Sequence, residues 1–317
     1  MMRSFIRDPR VPMNHSEMSR ALDPQETPRV SVILPVRDAA RHVERCLEAL
    51  CAQTWPSDRL EVIVVDVGSV DETRGRVRRF PVRLVVERGG GGPYAARNAG
   101  IEQAQGEILA FTDADCVPDK LWVERGVAAL EAEAADLAGG QMRSRLSEPP
   151  RGAELVDALQ NLDHDRSIPE RAEAKTGNLF VCRHVVQDVG RFDATRRSGA
   201  DVEFTRRAVG AGYTLVYAPQ AIVEKPARPL LALLGKQQRV GRGQPRLWRE
   251  QGLSDREIIR RSLRCLVPQR PGFLRGEITR RGLAHHGVGW WRVWFAAWLA
   301  ALAEAAGRLR SGLRERQ

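Results

Sequence analysis

Four short runs of aliphatic residues alternate with helix-length polar segments, and this alternation constrains the fold more than any other feature. The runs are "VSVILPV" (30–36), "LEVIVVD" (60–66), "VRLVVE" (82–87) and "EILAFT" (107–112). Each is short, mostly apolar and bounded by turn residues, as expected of strands buried on both faces. Between them, "AARHVERCLEALCAQ" (39–53) places Val43, Leu47, Leu50 and Cys51 on one helical face. "DETRGRVRRF" (71–80) reads as a short helix. The glycine run Gly89–Gly92 reads as a flexible helix entry, and Pro93 fits the first turn of a helix through "YAARNAGIEQAQ". The alternation predicts an α/β domain with a mainly parallel sheet. Further on, "GNLFVC" (177–182) and "YTLVYAP" (213–219) read as strands, and "ADVEFTRRAVGAG" (200–212) as a helix stopped by Gly210 and Gly212.

In such a sheet, ligands bind outside the carboxyl ends of the strands. Three polar strand ends share that rim: Pro35-Val36-Arg37-Asp38, Asp66-Val67-Gly68-Ser69 and Asp113-Ala114-Asp115. Asp113 and Asp115, two positions apart, leave a strand on the same side. Converging carboxylates raise each other's pKa unless a cation relieves them. Hard oxygen ligands suit Mg2+ or Mn2+, which complete their shells with substrate phosphate and water. One such pair alone reads as a turn. With two further acidic strand ends on the rim, it reads as a metal–diphosphate site. Asp66, followed by Gly-Ser, is suited to accept bonds from a base or ribose, and Asp71 fits a helix N-cap.

Residues 30–225 resemble the family 2 glycosyltransferases, which have the GT-A fold. Four segments carry the resemblance in order: "VSVILPVRD", "LEVIVVDVGSVDET", "PYAARNAGIEQAQGEILAFTDADCVP" and "TGNLFVCRHVVQDVGRFDATRRSGADVEFTRRAVGAGYTLVYAP". The resemblance implies a Rossmann-like sheet with flanking helices and a hexosyltransferase-like reaction. A sugar would pass from a nucleotide donor, UDP-linked in much of the family, to a hydroxyl acceptor with inversion. Pro35, Val36, Asp38 and Asp66 match positions that line the nucleotide pocket, and Arg97 is a further candidate for it. Asp113 and Asp115 match the motif that binds the metal and the donor diphosphate. Asp201 matches the catalytic base, and its place at a helix start favours the ionised form.

Three positions depart from the pattern. Val67 stands where many relatives have a second acidic residue, and Ala200 where many have glutamate. Lys225 stands where a histidine metal ligand often sits, with Glu224 one residue away. Lysine is a poor ligand beside a cation but a good point charge for phosphate. Lys225 is therefore read as a diphosphate contact that weakens metal dependence. A sugar nucleotidyltransferase would use the same aspartate pair without a base at Asp201. A degenerate GT-A domain would bind without turnover. Both stay open as alternatives.

The remaining sequence divides into a mobile leader (1–28), the GT-A domain (29–228) and a helical, basic, Trp-rich C-terminal extension (229–317). The net charge of +10 favours anionic partners, although no interleaved aromatics or known module points to nucleic acid. In the extension, "GVGWWRVWFAAWLAALAEAAGRLR" has an uncharged stretch, Val293–Ala303, too short to span a bilayer. Tryptophans beside arginines fit an interfacial helix on an anionic membrane, serving a lipid-linked acceptor. The other reading is a helix packed on the catalytic domain. The N-terminus has no signal-peptide core, so the expected place is the cytoplasm, or the inner face of its membrane. Five irregularly spaced cysteines read as buried free thiols rather than a disulfide framework or zinc site. His164 and the pair His285-His286 read as solvated polar residues.

Overall fold

The structure is a computed structural model that describes residues 27–314 except 88, 90, 162, 163, 197 and 284–286. Most of the expected leader, and His285-His286, lie outside the described residues. The four runs form β1 (Val30–Val36), β2 (Leu60–Asp66), β3 (Arg83–Val86) and β4 (Ile108–Thr112), parallel in the order β3-β2-β1-β4. Three helices join them: α1 (Val43–Cys51), α2 (Thr73–Val77) and α3 (Pro93–Gln103). On α1 the buried face is Val43, Cys46, Leu47 and Leu50; Cys51 is exposed, one step off the expected face. Cys46, Cys116 and Cys182 are buried free thiols as expected, and Cys265 is partly buried.

Beyond β4 the sheet changes character. β7 (Asn178–Cys182) runs antiparallel to β4, and β6 (Leu137–Arg145) antiparallel to β7. β8 (Leu215–Pro226) is parallel to β6, and the short β5 (Val117–Pro118) closes the edge antiparallel to β8. The result is one mixed sheet of eight strands, in the order β3-β2-β1-β4-β7-β6-β8-β5. α4 (Trp122–Ala132), α6 (His164–Arg171), α7 (Arg183–Val189) and α8 (Ala200–Gly210) flank it, with Trp122, Phe111, Phe180 and Phe204 among the largest fully buried side chains. Each such side chain contributes roughly 1.5–3 kcal/mol of burial.

β8 outruns its expected end at Pro219. Its pairing with β6 passes from Gly140–Ala218 directly to Gln141–Ile222, so Pro219 falls in a bulge. A proline in a bulge need donate no ladder hydrogen bond. The strand therefore continues to Pro226 and carries Lys225 with it.

A second apolar cluster lies beyond the sheet. α5 (Gly152–Asn161) contributes Ala153, Leu155 and Val156. α9 (Leu230–Glu250) adds Leu233, and α11 (Pro271–Arg280) adds Leu274 and Ile278. α12 (Trp290–Arg314) adds Val293, Ala296, Ala297 and Ala300. α10 (Asp255–Arg264) also packs beside α12. Where α9 and α12 cross there is no room for side chains. A Cβ on Gly241 would lie 2.1 Å from the Glu304 carbonyl oxygen, and one on Gly307 2.3 Å from that of Gln238. One face of α12 is thus packed inward, while Trp291 remains exposed. Among the described residues, no helix is long and apolar enough to cross a membrane.

Candidate active site

Two cavities open on the rim of the sheet and meet at one cluster of charges. The smaller, about 350 Å3, is walled by Pro35, Val36, Asp38, Val67, Gly91 and Gly92. The larger, about 900 Å3, is walled by Tyr94, Thr176, Asp201 and residues of α9, including Lys236 and Trp248. Pro93, Arg97, Asp113, Lys225 and Arg228 line both. A third cavity, about 330 Å3, lies between residues 147–152 and Arg292 and contains none of these groups.

The strand ends explain the small cavity. Asp38 takes a positive φ of 47° immediately after β1, and its backbone amide donates to Ser69 Oγ at 2.9 Å. Its carboxylate accepts from the Val70 amide at 2.9 Å, so the loops after β1 and β2 are tied together. Asp66 is placed differently. It is 0% exposed and does not reach the cavity wall, which Val67 forms instead. Arg74 Nε and the Ser69 amide hold Asp66 Oδ1 at 2.7 and 3.2 Å. Asp66 Oδ2 is buried with no hydrogen-bond partner among the described groups. The glycine run thus both enters α3 and walls the cavity, through Gly91 and Gly92.

At the junction, Arg97 from α3 donates to Asp113 Oδ1 at 2.7 Å. The Lys225 ammonium lies 2.9 Å from both Asp113 Oδ2 and Asp115 Oδ1. Arg228 approaches Asp115 Oδ2 at 3.6 Å. Strand pairing explains this meeting. β5 begins two residues after Asp115, and Val117 pairs with Glu224, the residue before Lys225. Glu224 itself bonds Arg145 at 2.9 Å and is turned to other work. Burial acts to raise the Asp113 pKa, but the Lys225 and Arg97 charges outweigh it and hold the carboxyl well below its usual range. Burial acts to lower the Lys225 pKa, and Asp113 and Asp115 outweigh that in turn, so the ammonium is held well above the usual lysine value.

The groups near the aspartate pair offer little to a divalent ion. Asp113, Asp115 and Cys116 bring one atom each to within 4.8 Å of one another. Burial pushes the Cys116 thiol up to about 12, and a protonated soft sulfur suits neither Mg2+ nor Mn2+. The aspartate oxygens already face cationic nitrogens. With Lys225 in this position the residues present do not fit an added divalent ion.

Asp201 sits in the first turn of α8, as the sequence implied. Its carboxylate accepts from the Tyr94 hydroxyl at 2.9 Å and the Val202 amide at 3.1 Å. The Thr176 amide adds a third bond at 3.3 Å. Tyr94 was not singled out in the sequence; the only signal was an aromatic residue immediately after Pro93. Burial and the Asp201 charge raise the Tyr94 pKa well above its usual value, so the phenol keeps its proton and donates a hydrogen bond to Asp201. His164 corrects its reading as a solvated residue. It is buried, with Nδ1 2.9 Å from the Gly140 carbonyl and Nε2 accepting from the Lys175 amide at 2.8 Å.

Residues 31–196 match the family described as glycosyl transferase family 2. The chain is also 41% identical over 298 residues to "Glycosyltransferase AglE" of Haloferax volcanii, covering 92% of this chain and 98% of that one. The chain belongs to glycosyl transferase family 2. Two solved structures share its fold. One is the mannosyltransferase PcManGT of Pyrobaculum calidifontis in complex with GDP-Man and Mn2+. It aligns at a TM-score of 0.54 and 22% identity, over 92% of this chain and 77% of that one. The other is S. aureus TarS 1-349 in complex with UDP-GlcNAc, at a TM-score of 0.53 and 18% identity, over 91% and 92%. As a family 2 glycosyltransferase with a GT-A-like mixed sheet, the chain is an enzyme, and this pair of cavities is its candidate site.

Proposed function

We propose that the chain transfers a sugar from a UDP-linked donor to an acceptor hydroxyl, with inversion. The observation that carries this reading is the junction. A cavity suited to a nucleotide and a larger cavity holding a carboxylate base share Asp113, Lys225, Arg97 and Arg228. The nucleotide would lie against Pro35, Val36 and Asp38, with its diphosphate at the shared charges. Asp66 backs that cavity. The acceptor would enter beside Asp201. Its hydroxyl oxygen would attack the anomeric carbon while Asp201 takes the proton. The bond from that carbon to the diphosphate oxygen would break, and the nucleoside diphosphate would leave with the electron pair. Cations at the junction favour that leaving charge. Attack from the Asp201 side, opposite the leaving group, gives inversion.

A nucleotidyltransferase would leave Asp201 idle, whereas here three donors hold its carboxylate in the cavity wall. The acceptor is read as lipid-linked. The extension that walls the larger cavity holds 18 lysines and arginines against six aspartates and glutamates over 229–317, so it carries the chain's whole excess of positive charge. That composition suits an anionic membrane surface, and the cytoplasmic face is the expected side.

The test is transfer and donor hydrolysis over a panel of UDP- and GDP-sugars, comparing the parent with Asp201→Asn. Loss of a general base costs roughly 10²–10⁴ in rate. The variant should lose that much kcat while binding UDP with unchanged affinity. A variant as fast as the parent would remove Asp201 from the reaction.

A further inference from the structure

The aspartate pair presents four oxygens, and every one of them faces a cationic nitrogen. Arg97 takes Asp113 Oδ1 at 2.7 Å, Lys225 takes Asp113 Oδ2 and Asp115 Oδ1 at 2.9 Å each, and Arg228 stands 3.6 Å from Asp115 Oδ2. Three cations meet these two carboxylates, with Asp157 behind Arg228 as a third, so the cluster is already balanced in charge without a metal. A divalent ion entering here would meet repulsion from all three and would have to displace Lys225 from both aspartates.

We infer that Lys225 is the resident cation of this site. Its ammonium stands between the two aspartates and takes the part toward the donor diphosphate that a metal would otherwise take, so donor binding needs no divalent ion. This rests on the nucleotide-donor reading proposed above.

Lys225 is built in rather than draped on the surface. Its side chain is 13% exposed. Its backbone is fixed in β8 between partners on both sides, with Ser144 of β6 opposite it and β5 pairing at the preceding residue. The bulge at Pro219 sets the register that brings it to Asp115. Arg228 is braced independently by Asp157, whose Oδ2 lies 3.4 Å from its guanidinium. These side chains line both cavities, so a bound diphosphate would meet them on its way out of the smaller one. An ammonium is a compact charge with three donors, able to hold two carboxylates and still offer a hydrogen to phosphate. A fixed ammonium cannot be lost to a chelator.

The experiment is calorimetric binding of UDP and GDP to the full chain, once in excess EDTA and once in Mn2+. For the parent the two dissociation constants should agree within about twofold, and Mn2+ alone should bind only weakly. Lys225→His should bind nucleotide about tenfold more weakly in EDTA and recover in Mn2+, and should gain tight binding of Mn2+ alone. Tenfold corresponds to about 1.4 kcal/mol. Parent binding that appears only with Mn2+ would overturn the inference and leave the donor reading standing. Binding of neither nucleotide in either buffer would overturn both. The parent comparison stands even if the variant fails to fold.

Discussion

The Tyr94 hydroxyl donates to Asp201 Oδ1 at 2.9 Å and accepts from the Gly199 amide at 3.1 Å. Gly199 precedes α8 with a positive φ of 81°, a conformation favoured by glycine, and the turn it makes delivers Asp201 to the cavity. One buried hydroxyl therefore fixes both the base and the turn that presents it. Tyr94→Phe removes a hydrogen bond to a charged group, worth about 1.5–3 kcal/mol. We expect kcat to fall by about tenfold or more with the donor KM unchanged, because Tyr94 does not wall the smaller cavity. Steady-state kinetics with both substrates varied gives the answer. An unaltered kcat would mean that Asp201 needs no such hold.

The crossing of α9 and α12 predicts a packing effect. Gly241→Ala would place a methyl group 2.1 Å from the Glu304 carbonyl oxygen, and backbone cannot rotate away as a side chain does. Overpacking of this kind costs roughly 1–3 kcal/mol. Thermal unfolding should show a lowered Tm. Acceptor transfer should fall more than donor hydrolysis, because α9 walls only the larger cavity. Equal losses in both activities would contradict this.

Lys236 predicts a pH dependence. Burial and the Arg228 charge, outweighing the pull of Asp157 and helped by Lys225 and Lys175, push its pKa down from 10.5 to about 7. Between pH 7 and 10.5 the unfolded chain keeps a proton that the folded chain has released. Stability from this group therefore rises with pH through that window, and the full penalty is present below it. Lys236→Met should raise Tm most near pH 6 and progressively less toward pH 10. A Tm difference that stays constant with pH would disprove the assignment.

The extension predicts a surface interaction. Trp298 Nε1 donates to the Leu266 carbonyl and stands beside Phe295, with ring centres 6.2 Å apart. This gathers Leu266, Val267 and Phe295 on one side of the bundle, where Val267 is 73% exposed. Vesicles with anionic headgroups should co-sediment the protein, with binding weakened by salt. Val267→Glu with Phe295→Glu should abolish it without lowering Tm. Equal binding to uncharged vesicles would show that the arginines play no part.

The parallel half of the sheet was legible because each strand is a continuous apolar run bounded by breakers. Asp113, Asp115 and Asp201 were legible from ordered motifs, and the structure brings all three to the joined cavities. The other half was hidden for local reasons. β6 contains Gly139 and Gly140, and glycines inside a strand weaken its sequence signal. A Cβ on Gly140 would lie 2.3 Å from the Ala221 carbonyl oxygen, so a neighbouring backbone demands glycine there. Pro219 read as the end of β8, although it lies in the bulge that sets the register of Lys225. Asp66 read as a wall residue because a sequence shows a strand end without showing its depth. Val67 forms the wall, and Arg74, eight residues on, holds Asp66 beneath it. Tyr94 could not be found because its partner is 107 residues away.

The glycine crossing of α9 and α12 has a mechanical consequence. Gly241 and Gly307 face each other's helix at one crossing, where the two backbones approach too closely for any side chain to separate them. A displacement of α12 would therefore be expected to carry α9 with it. α9 follows β8 after a link of three residues, 227–229, that begins directly after Pro226, the neighbour of Lys225. Lys225 and Arg228 thus stand at the root of α9, the helix whose residues Lys236 to Trp248 face Asp201 across the larger cavity.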